Sequence, residues 1–587
     1  MGIPEQHFVH SGQSGGNVLR GELVTLVNPN KIRPVVTPYA LDILTTSLEQ
    51  AGFVVDIVDL NLRVDDWSDA LSEYFRTHDP RLVGITFRNT DTIYPQEQKV
   101  FIGEHREVTR RVRELTSAPI VGGGVGFSSM PFALVDYLGL DFGVKGPGER
   151  VVTELATALA TGTSTRAVRG LIYRDGDRVC RVPAEASEDT SLLTLAGFGE
   201  KRSWQVNTDT PYTRRSGVPH KVDNLAYYLN GGLGNILTKS GCPFTCTHCV
   251  EPDAKGSGFA RRSIDAVVDE VESLVAQGVH DLHTTDSEFN LATANTKALL
   301  REIIRRKDTD HSSPLHRLNL WIYSQPAPFD EEFAELLAGA GCRGVNVAPD
   351  HVRDDLLDSW KVTGRGTRFY TFADTVRVVE LAHRHGMLTM VEVLLGMPGE
   401  NEDTLRECID RTMALDATVT GFTLGLRVFP YSPLGMSLAK QCAGLRTVPG
   451  LQSNTANEPI VLRTSEQCAD VVEYERQFMF QSDGSFRPLY YFSPDLPEDS
   501  TTIARPDGRW LKTLEFMWEY IPPADYPRVM LPTAPGLSRH DNNYADNPFL
   551  TILAQLGYHG AFWSRWRDRD AIIEEGRARN ILVPADA

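Results

Sequence analysis

The 587-residue sequence predicts an α/β protein. We expect an N-terminal Rossmann-like open parallel sheet, then a partial (β/α)6 barrel, then an α-rich C-terminal domain. Short apolar strands alternate with helical patterns over residues 17–165, and strand–helix repeats recur from Asn230 to Lys440. The length also exceeds what one hydrophobic core usually organises, which favours several domains.

The first domain is predicted to span residues 17–165. Its strands are expected at Leu23–Val27, Phe53–Val58, Leu82–Phe87 and Pro119–Val121, and its helices include Tyr39–Ala51 and Arg150–Ala160. Ligands of open parallel sheets bind beyond the carboxyl ends of the strands. The loops at those ends contain the candidate binding residues Asn61, Arg88, Gly122, Gly123, Gly124, Gly148 and Glu149. A dinucleotide or P-loop site is not expected, because G-x-G-x-x-G and the P-loop lysine motif are both missing.

Three further segments follow. Residues 166–224 are predicted to form a hairpin with an Asp175-Gly176 turn and then a polar linker. Residues 225–449 are assigned to the barrel, in which Ser263–Gln277 has the apolar stripe of an amphipathic helix. Residues 450–587 contain half of the eight tryptophans and are expected to fold as a C-terminal domain that covers the substrate.

Composition and charge disfavour several classes of partner. A net charge of −18 argues against nucleic acid and anionic membrane surfaces, since both require basic patches. The first residues lack the apolar core of a signal peptide, and the most apolar stretch, Met387–Met397, is too short to span a bilayer. The cysteines outside the motif below are scattered singly, which suits a reducing compartment. We expect a cytoplasmic protein with a small-molecule substrate.

The most informative motif is a loop with Cys242, Cys246 and Cys249 at C-x3-C-x2-C spacing. Thiolates are soft ligands that select zinc, Cu(I) or an iron–sulfur cluster. Structural zinc sites usually take four ligands in two pairs, and the sequence has no second C-x2-C pair. Three cysteines can hold a cubane cluster whose fourth iron binds another ligand. The alternative interpretation is three unrelated buried thiols.

This loop resembles the signature of the radical S-adenosylmethionine (SAM) superfamily. The resemblance implies a 4Fe-4S cluster on the three cysteines and SAM contacts from His248 and from the turn Gly396-Met397-Pro398-Gly399-Glu400. Arg261-Arg262-Ser263 resembles the start of a helix common to that family. Residues 426–433 resemble its last barrel strand and exit loop. Together these motifs cover residues 230–440.

The N-terminal domain resembles the cobalamin-binding domain that precedes many radical SAM domains. The resemblance is clearest in the Gly122-Gly123-Gly124 turn and in the Gly146-Pro147-Gly148-Glu149 loop. The D-x-H-x-x-G motif, which supplies a histidine to cobalt in other cobalamin proteins, is absent from the sequence. The resemblance therefore implies cobalamin without a protein histidine on its lower face.

Three residues are candidates for the chemistry, each at a predicted strand end. One branch of the cobalamin radical SAM enzymes, the tryptophan 2-C-methyltransferases, has a glutamate on the open iron, an arginine under cobalt and a tyrosine near the substrate. Glu288, Arg88 and Tyr323 resemble these residues in position. The alternatives are a SAM-binding or solvated Glu288, a salt-bridged Arg88 and a packed Tyr323.

The segment after the fourth barrel strand departs from the usual family pattern. Many relatives have a glutamate there that binds the SAM ribose, but this sequence reads Val345-Asn346-Val347-Ala348-Pro349-Asp350-His351. Asp350 is the candidate replacement. His351 is expected to be a loop histidine rather than a base.

The leading hypothesis for function is a cobalamin-dependent radical SAM C-methyltransferase. It would move a methyl group from SAM via methylcobalamin to a carbon of a small molecule, with tryptophan or a similar aromatic of natural-product biosynthesis as a candidate. A 5′-deoxyadenosyl radical route and a polar route both remain open. The resemblance also implies an external electron donor such as flavodoxin or ferredoxin. A cyclase or ring-contraction enzyme, and a non-catalytic sensor, are the alternatives.

Overall fold

The structure, a computed structural model, describes most of the chain. The described residues are 21–32, 35–93, 99–183, 206–207, 221–256, 259–360, 370–442, 446–453, 459–497, 508–532, 547–557 and 562–581. Most of the predicted linker after the hairpin lies outside them.

The first sheet confirms the strands predicted near the N-terminus. Over the described residues its order is β2-β1-β3-β4-β5-β6-β7. The strands are β1 Leu23–Asn28, β2 Val54–Asp59, β3 Leu82–Thr86, β4 Ile120–Gly123, β5 Phe142–Val144, β6 Leu171–Asp175 and β7 Arg178–Arg181. The first five are parallel, whereas β6 and β7 form the predicted antiparallel hairpin.

Helices cover both faces of this sheet, as buried parallel strands require. They are α1 Tyr39–Gln50, α2 Trp67–Phe75, α3 Ile102–Leu115, α4 Val125–Ser129, α5 Pro131–Leu138 and α6 Glu149–Thr161. One face packs with α1 and α6 around residues such as Leu26, Leu48 and Leu155. The other face packs with α2, α3 and α5 around residues such as Val112 and Leu134.

The second sheet is the predicted open barrel. Its order in the described part of the chain is β20-β16-β15-β14-β13-β12-β9, all parallel. The strands are β9 Gly234–Ile236, β12 Asp281–Thr284, β13 Asn319–Ser324, β14 Cys342–Asp350, β15 Leu388–Leu395, β16 Val419–Leu424 and β20 Val529–Met530. The last strand, β20, comes from the C-terminal region and extends the edge of the barrel.

Helices precede, separate and follow the barrel strands. They are α7 Asn224–Leu229, α8 Glu251–Lys255, α9 Ile264–Ala276, α10 Thr293–Thr309, α11 Glu331–Ala340, α12 Asp354–Trp360, α13 Phe372–Arg384, α14 Glu402–Met413 and α15 Pro433–Cys442. Of these helices, α9, α10, α11 and α13 pack on the outside of the sheet. The predicted stripe of α9 is buried, with Val267, Val271 and Leu274 packing against the strands.

Residues 426–433 do not form the last barrel strand that was predicted for them. The last parallel strand before the exit loop is β16, which ends at Leu424. Leu426–Arg427 forms the short strand β17 of a separate antiparallel sheet with β19 Leu489–Tyr491 and β18 Leu451–Ser453. Gly425, at a φ of 78°, turns the chain between the two sheets. The family-like motif therefore begins after the barrel rather than within it.

Two other small groups of elements complete the described residues. One sheet joins β10 Lys239–Ser240, β11 Phe259–Arg261 and β8 Val206–Asn207. The C-terminal region is mainly helical, with α16 Val471–Arg476, α17 Gly508–Tyr520, α18 Pro548–Gln555 and α19 Arg569–Ala578. Among the helices of the described ranges, none has both the length and the apolar character needed to cross a membrane.

Buried polar contacts join the first sheet to the rest of the chain. Asp91, after β3, forms an ion pair of 3.0 Å with Arg427, and both side chains are almost fully buried. Lys145, after β5, lies 3.5 Å from Asp253 of α8. Asn28 at the end of β1 donates to the hydroxyl of Tyr227 in α7. All three contacts involve residues at or after the carboxyl ends of the first sheet, so these ends face the barrel.

Candidate functional site

The cysteine loop connects β10 to α8. Cys242 and Cys246 are buried and pack against Phe244 and Phe259, while Cys249 is half-buried. Burial, together with the charge of Cys246, raises the pKa of Cys242 to about 12. Burial and the charges of the neighbouring cysteines also raise the pKa of Cys249 well above its usual value. The three sulfurs therefore lie close enough to influence one another.

This donor set fits an iron–sulfur cubane better than a single ion. No group of three His, Cys, Asp or Glu side chains within the described residues is arranged to bind one metal ion. Each cysteine of a cubane binds a different iron, so its sulfurs need not converge on one point. Burial and the neighbouring charges keep these thiols protonated in the absence of metal, and bound iron would deprotonate them. The chemistry of the loop thus fits the predicted cluster.

Glu288 lies on the loop after β12, close to these cysteines. Its charge contributes to the raised pKa of Cys242, which places the carboxylate near the loop. The side-chain amide of Gln325 donates a hydrogen bond of 2.6 Å to Glu288 Oε1. Asn290 in turn fixes the backbone of Gln325, since it accepts from the Gln325 N–H and donates to its carbonyl.

Gln325 was not predicted as a site residue from the sequence. It follows β13 by one residue and lies two positions after Tyr323. A polar residue at a strand end of the barrel was the available signal. Its contact with Glu288 could not be predicted, because the two loops are 37 residues apart in the chain.

A buried ion pair holds the base of the Glu288 loop. Lys239 and Asp286 are 2.8 Å apart with almost no exposed surface. Asp286 also accepts from the backbone N–H of Thr238, and Lys239 donates to the Phe289 carbonyl. These bonds connect the strand before the cysteines to the loop of Glu288, so both groups are held in one geometry.

Arg88 and Tyr323 approach each other from different sheets. Arg88 follows β3 and is exposed, and Tyr323 of β13 is 43% exposed. Nevertheless, surrounding protein lowers the pKa of Arg88 by desolvation, and the charges of Tyr323 and Glu251 oppose that shift. Both side chains therefore lie in the space between the carboxyl ends of the first sheet and the inner face of the barrel. We call this space, between Arg88 and Tyr323, the chamber.

His283 of β12 lines the same side of the barrel as Tyr323. Their rings meet edge to face with centroids 4.6 Å apart. Burial lowers the pKa of His283 to about 4, so its imidazole is neutral at physiological pH. Tyr323 thus contacts an uncharged ring, and 43% of its surface is exposed.

The glycine-rich turn after β4 lies against the Arg88 loop. Gly124 has a φ of 113°, and a Cβ there would be 2.6 Å from the carbonyl oxygen of Phe87. Gly126 N–H donates to the Arg88 carbonyl at 2.8 Å. Only glycine allows this approach, so the turn positions the residue that enters the chamber.

The other predicted cobalamin-side residues lie at the same edge of the first sheet. Asn61 is fully buried, and its N–H donates to the carboxylate of Asp59, the last residue of β2. Gly148 precedes α6, and Glu149 is the first residue of that helix, where burial raises its pKa. The structure thus brings Asn61, the Gly122–Gly124 turn and Glu149 to the edge of the first sheet from which Arg88 also extends.

The turn after β15 is held by its own glutamate. Glu400 Oε2 accepts from the N–H groups of Gly396 and Met397 at 2.6 and 2.7 Å, and Glu400 has no exposed surface. His351 Nε2 lies 3.2 Å from Glu400 Oε1. The Pro398 carbonyl accepts from the Trp360 indole. These contacts give Glu400 a role in shaping the turn.

Asp350 ends β14 in a left-handed conformation. Its φ is 63°, which is uncommon for a residue other than glycine, and its side chain is buried. His248, in the cysteine loop, lies 4.0 Å from its carboxylate. The structure therefore brings together the two predicted SAM-side residues His248 and Asp350.

Comparisons with known proteins agree with this architecture. The model of the B12 binding domain matches residues 27–156, and the model of the Radical SAM superfamily matches residues 236–412. The tryptophan 2-C-methyltransferase of Streptomyces laurentii is 57% identical over 584 residues, which cover 95% of this chain and 98% of that protein. This chain belongs to the cobalamin-dependent radical SAM methyltransferases.

Solved structures support the same family. The radical SAM methyltransferase TsrM from Kitasatospora setae, with cobalamin and a [4Fe-4S] cluster bound, matches with a TM-score of 0.87 and 57% identity, over 96% of this chain and all of that one. TsrM with its tryptophan substrate and the SAM analog aza-SAM matches with a TM-score of 0.85 over 95% of this chain. The cobalamin-dependent radical SAM enzyme OxsB, at 16% identity and a TM-score of 0.51, shares the fold.

Proposed function

We propose that this radical SAM methyltransferase moves a methyl group from SAM, by way of cobalamin, to carbon 2 of the indole of tryptophan. The observation that carries the proposal is the chamber, in which Arg88 of the cobalamin-binding sheet and Tyr323 of the barrel influence each other. The relative with 57% identity is named for this reaction, and the related TsrM binds tryptophan.

The residues at the edges of the chamber suit the three cofactors of the family. Cys242, Cys246 and Cys249 would hold a 4Fe-4S cluster, and the turn Gly396–Glu400 would hold SAM. The loops with Asn61, Gly122–Gly124 and Gly148 would surround cobalamin. Bound cobalamin supplies a metal that accepts a methyl group from SAM and delivers it to a carbon.

Arg88 would contribute a fixed positive charge beneath cobalt. Desolvation makes this charge costly, and the negative charge of Glu251 offsets part of that cost. The Arg88 guanidinium also donates a hydrogen bond of 2.9 Å to Asn89 Oδ1. A positive charge on that side would disfavour oxidation of cobalt to the electrophilic Co(III) state and would repel an axial ligand. Both effects favour the nucleophilic Co(I) form.

Tyr323 would lie beside the indole. Substitution at an aromatic carbon releases a proton, and a hydroxyl within hydrogen-bond reach can accept or relay it. The side chain is placed for this role, because it is 43% exposed toward the chamber and is supported by His283.

Glu288 would bind the iron that the cysteines leave open. Its carboxylate is held by Gln325 and influences Cys242. An iron occupied by Glu288 cannot also bind SAM through two atoms, so SAM would serve as an electrophilic methyl donor only. This arrangement favours the polar route over the 5′-deoxyadenosyl radical route.

The experiment is anaerobic turnover of the reconstituted protein with SAM and tryptophan, with quantification of 2-methyltryptophan, S-adenosylhomocysteine and 5′-deoxyadenosine. We expect methylated tryptophan with little 5′-deoxyadenosine. Glu288→Ala should lose at least tenfold in methylation rate and should gain 5′-deoxyadenosine. Stoichiometric 5′-deoxyadenosine from the wild type would reject the polar route, and the absence of any methylated tryptophan would reject the substrate.

Glu251→Gln is the matched control for Glu288→Ala. Glu251 also raises the pKa of the cysteines, but it is paired with Lys255 at 2.7 Å and accepts from Ser287. Glu251→Gln removes a charge but no proposed iron ligand. The ratio of 5′-deoxyadenosine to methylated tryptophan should therefore stay unchanged.

We further propose an external reductant such as flavodoxin or ferredoxin and a reducing cytoplasm as its setting. None of the eight cysteines forms a disulfide. An iron–sulfur cluster held by thiolates requires the same reduced state.

A further inference from the structure

The inner face of the barrel carries a row of polar side chains beside Tyr323. Tyr323 of β13 pairs in register with Asn346 of β14, and Glu392 of β15 pairs in register with Gly421 of β16. Register partners of a parallel sheet point to the same face. The opposite face bears Ile322, Val345 and Val391, which pack into the core beneath the helices. The row therefore faces the interior of the barrel.

Asn346 and Glu392 form a hydrogen-bonded pair in this row. Asn346 Nδ2 donates to Glu392 Oε2 at 2.8 Å. Asn346 is only 5% exposed, and its Oδ1 has no hydrogen-bond partner among the described residues. A buried acceptor without a donor costs free energy, so it points to a ligand that supplies one.

Gly421 leaves room next to the carboxylate. A Cβ at this position would lie 3.1 Å from Glu392 Cγ and 3.4 Å from Met390 Cε. Any larger residue would crowd the Glu392 side chain. The absence of a side chain at position 421 thus lets Glu392 keep its place on the inner face.

The chemistry of the pair selects a cationic donor. A carboxylate and an amide oxygen side by side offer acceptors and negative charge, whereas a protonated primary amine offers three N–H donors and positive charge. Both tryptophan and SAM carry such a group at their α-carbon.

We propose that Glu392, positioned by Asn346, binds the α-ammonium group of an amino acid, which we assign to tryptophan. This inference rests on the proposed function. Tyr323 and Glu392 are two strands apart and offset by two residues, because Asn346 pairs with Met390. Their backbones are therefore roughly 12 Å apart, which an aromatic amino acid can span with its ring at the Tyr323 side chain and its ammonium at the Glu392 carboxylate. The pair would set the orientation of the indole and would select amino acids over indoles that lack the amine.

The test compares two ligands with the reconstituted holoenzyme. Tryptophan and 3-(indol-3-yl)propanoate differ only in the ammonium group, and their dissociation constants are measured by anaerobic calorimetry for the wild type and Glu392→Gln. A charge-assisted bond predicts that Glu392→Gln weakens tryptophan binding about 10- to 100-fold and leaves the propanoate unchanged. Iron and cobalamin contents establish that the variant is folded and loaded.

Asn346→Ser provides a second variant with the carboxylate retained. We expect a smaller loss for tryptophan, because Glu392 then lacks its orienting donor, and again no change for the propanoate. Equal weakening of both ligands by Glu392→Gln, or no weakening of either, would overturn the inference.

SAM binding to the same two proteins separates the sources of the ammonium. If Glu392→Gln weakens SAM and leaves tryptophan unchanged, the group belongs to SAM and the assignment to tryptophan is wrong. A wild type that binds neither indole would instead reject the proposed substrate. Failure of the inference and failure of the proposed function therefore give different results.

Discussion

At the scale of the residue, buried polar side chains fix the groups that face the chamber. Lys239 and Asp286 carry opposite charges with almost no exposed surface. Burial of two charges is costly unless hydrogen bonds satisfy the remaining donors and acceptors. Here Thr238 and Phe289 supply those bonds. The pair therefore defines where the Glu288 loop begins relative to the cysteines.

Gln325 gives a prediction at this scale. Gln325→Ala removes the 2.6 Å hydrogen bond to Glu288 but keeps the backbone bonds to Asn290. A hydrogen bond to a charged group contributes about 1.5–3 kcal/mol, so the methylation rate should fall roughly 10- to 100-fold. Because Glu288 is then less constrained, 5′-deoxyadenosine should rise relative to the wild type. Rates and product ratios under anaerobic turnover measure both effects.

Ser287→Ala serves as the control for Gln325→Ala. It removes a hydrogen bond of 2.9 Å to Glu251, a carboxylate that we do not propose as an iron ligand. The product ratio should stay that of the wild type. If Gln325→Ala keeps the full rate and the wild-type product ratio, Gln325 does not position Glu288.

At the scale of the element, turns at the strand ends decide which backbone enters the chamber. The turn after β4 lies on the Arg88 loop, and the turn after β15 closes around Glu400. Both contain a glycine at positive φ that also approaches another segment closely, Gly124 against Phe87 and Gly396 against Phe492. Each of these glycines is thus required both for its backbone conformation and for its close contact with another segment.

Gly124→Ala should disrupt the first of these turns. Gly124 has φ 113° and ψ 171°, a conformation that is almost confined to glycine and costs other residues about 1–3 kcal/mol. The added Cβ would also lie 2.6 Å from the Phe87 carbonyl oxygen. We expect a loss of about 3 kcal/mol in the free energy of unfolding and reduced cobalamin per chain, measured by thermal denaturation and by absorbance after reconstitution.

Gly139→Ala is the matched control in the same domain. Gly139 also has a positive φ, 68°, but a Cβ there would have no heavy atom within 4 Å. This variant should lose about 1 kcal/mol and bind cobalamin normally. Equal cobalamin losses in the two variants would show that the close approach to Phe87 is not what matters.

At the scale of the whole molecule, buried polar groups join the cobalamin-binding sheet to the barrel and the C-terminal region. Glu475 of α16 has no exposed surface and accepts from the Ala133 N–H at the start of α5. It also accepts from the Tyr431 hydroxyl after β17. One carboxyl group therefore connects α16 to two other parts of the chain.

Glu475 should make the stability of the protein depend on pH. Burial raises its pKa to about 8, against opposing effects of Tyr431 and nearby Lys145. Between its ordinary pKa and about 8, the folded state keeps a proton that the unfolded state has lost. Stability should therefore fall with rising pH by about 1.4 kcal/mol per unit in this window. Glu475→Gln should remove this fall. The unfolding temperature of the variant, relative to that of the wild type, should therefore rise from pH 5 to pH 8.

Glu473→Gln, on the same helix, controls for a general effect of charge. Glu473 is partly exposed, and its pKa is lowered by the Ala469 N–H and by Arg463. It is ionised in both states above pH 5, so its removal should give the same change at every pH in the window. A parallel pH dependence of the wild type and Glu475→Gln would contradict the role assigned to Glu475.

Local patterns in the sequence determined the strands, the order of the elements and the cysteine loop. Apolar runs bounded by turn residues predicted β1 to β4 within a residue or two, because short buried strands depend mainly on their own side chains. The spacing of Cys242, Cys246 and Cys249 likewise identified the cluster motif, because all three residues lie within one short loop. Residues 426–433 were assigned to the wrong sheet, because the turn at Gly425 redirects the strand.

Only the tertiary structure decided which strand ends meet. Arg88 and Tyr323 are separated by 235 positions in the sequence, Asn346 and Glu392 by 46, and Gln325 and Glu288 by 37. No local pattern encodes such pairs, since each depends on the register of parallel strands and on how two sheets face each other. The sequence alone identifies the chemistry of the loops, and the packing of the sheets selects which of those loops share one chamber.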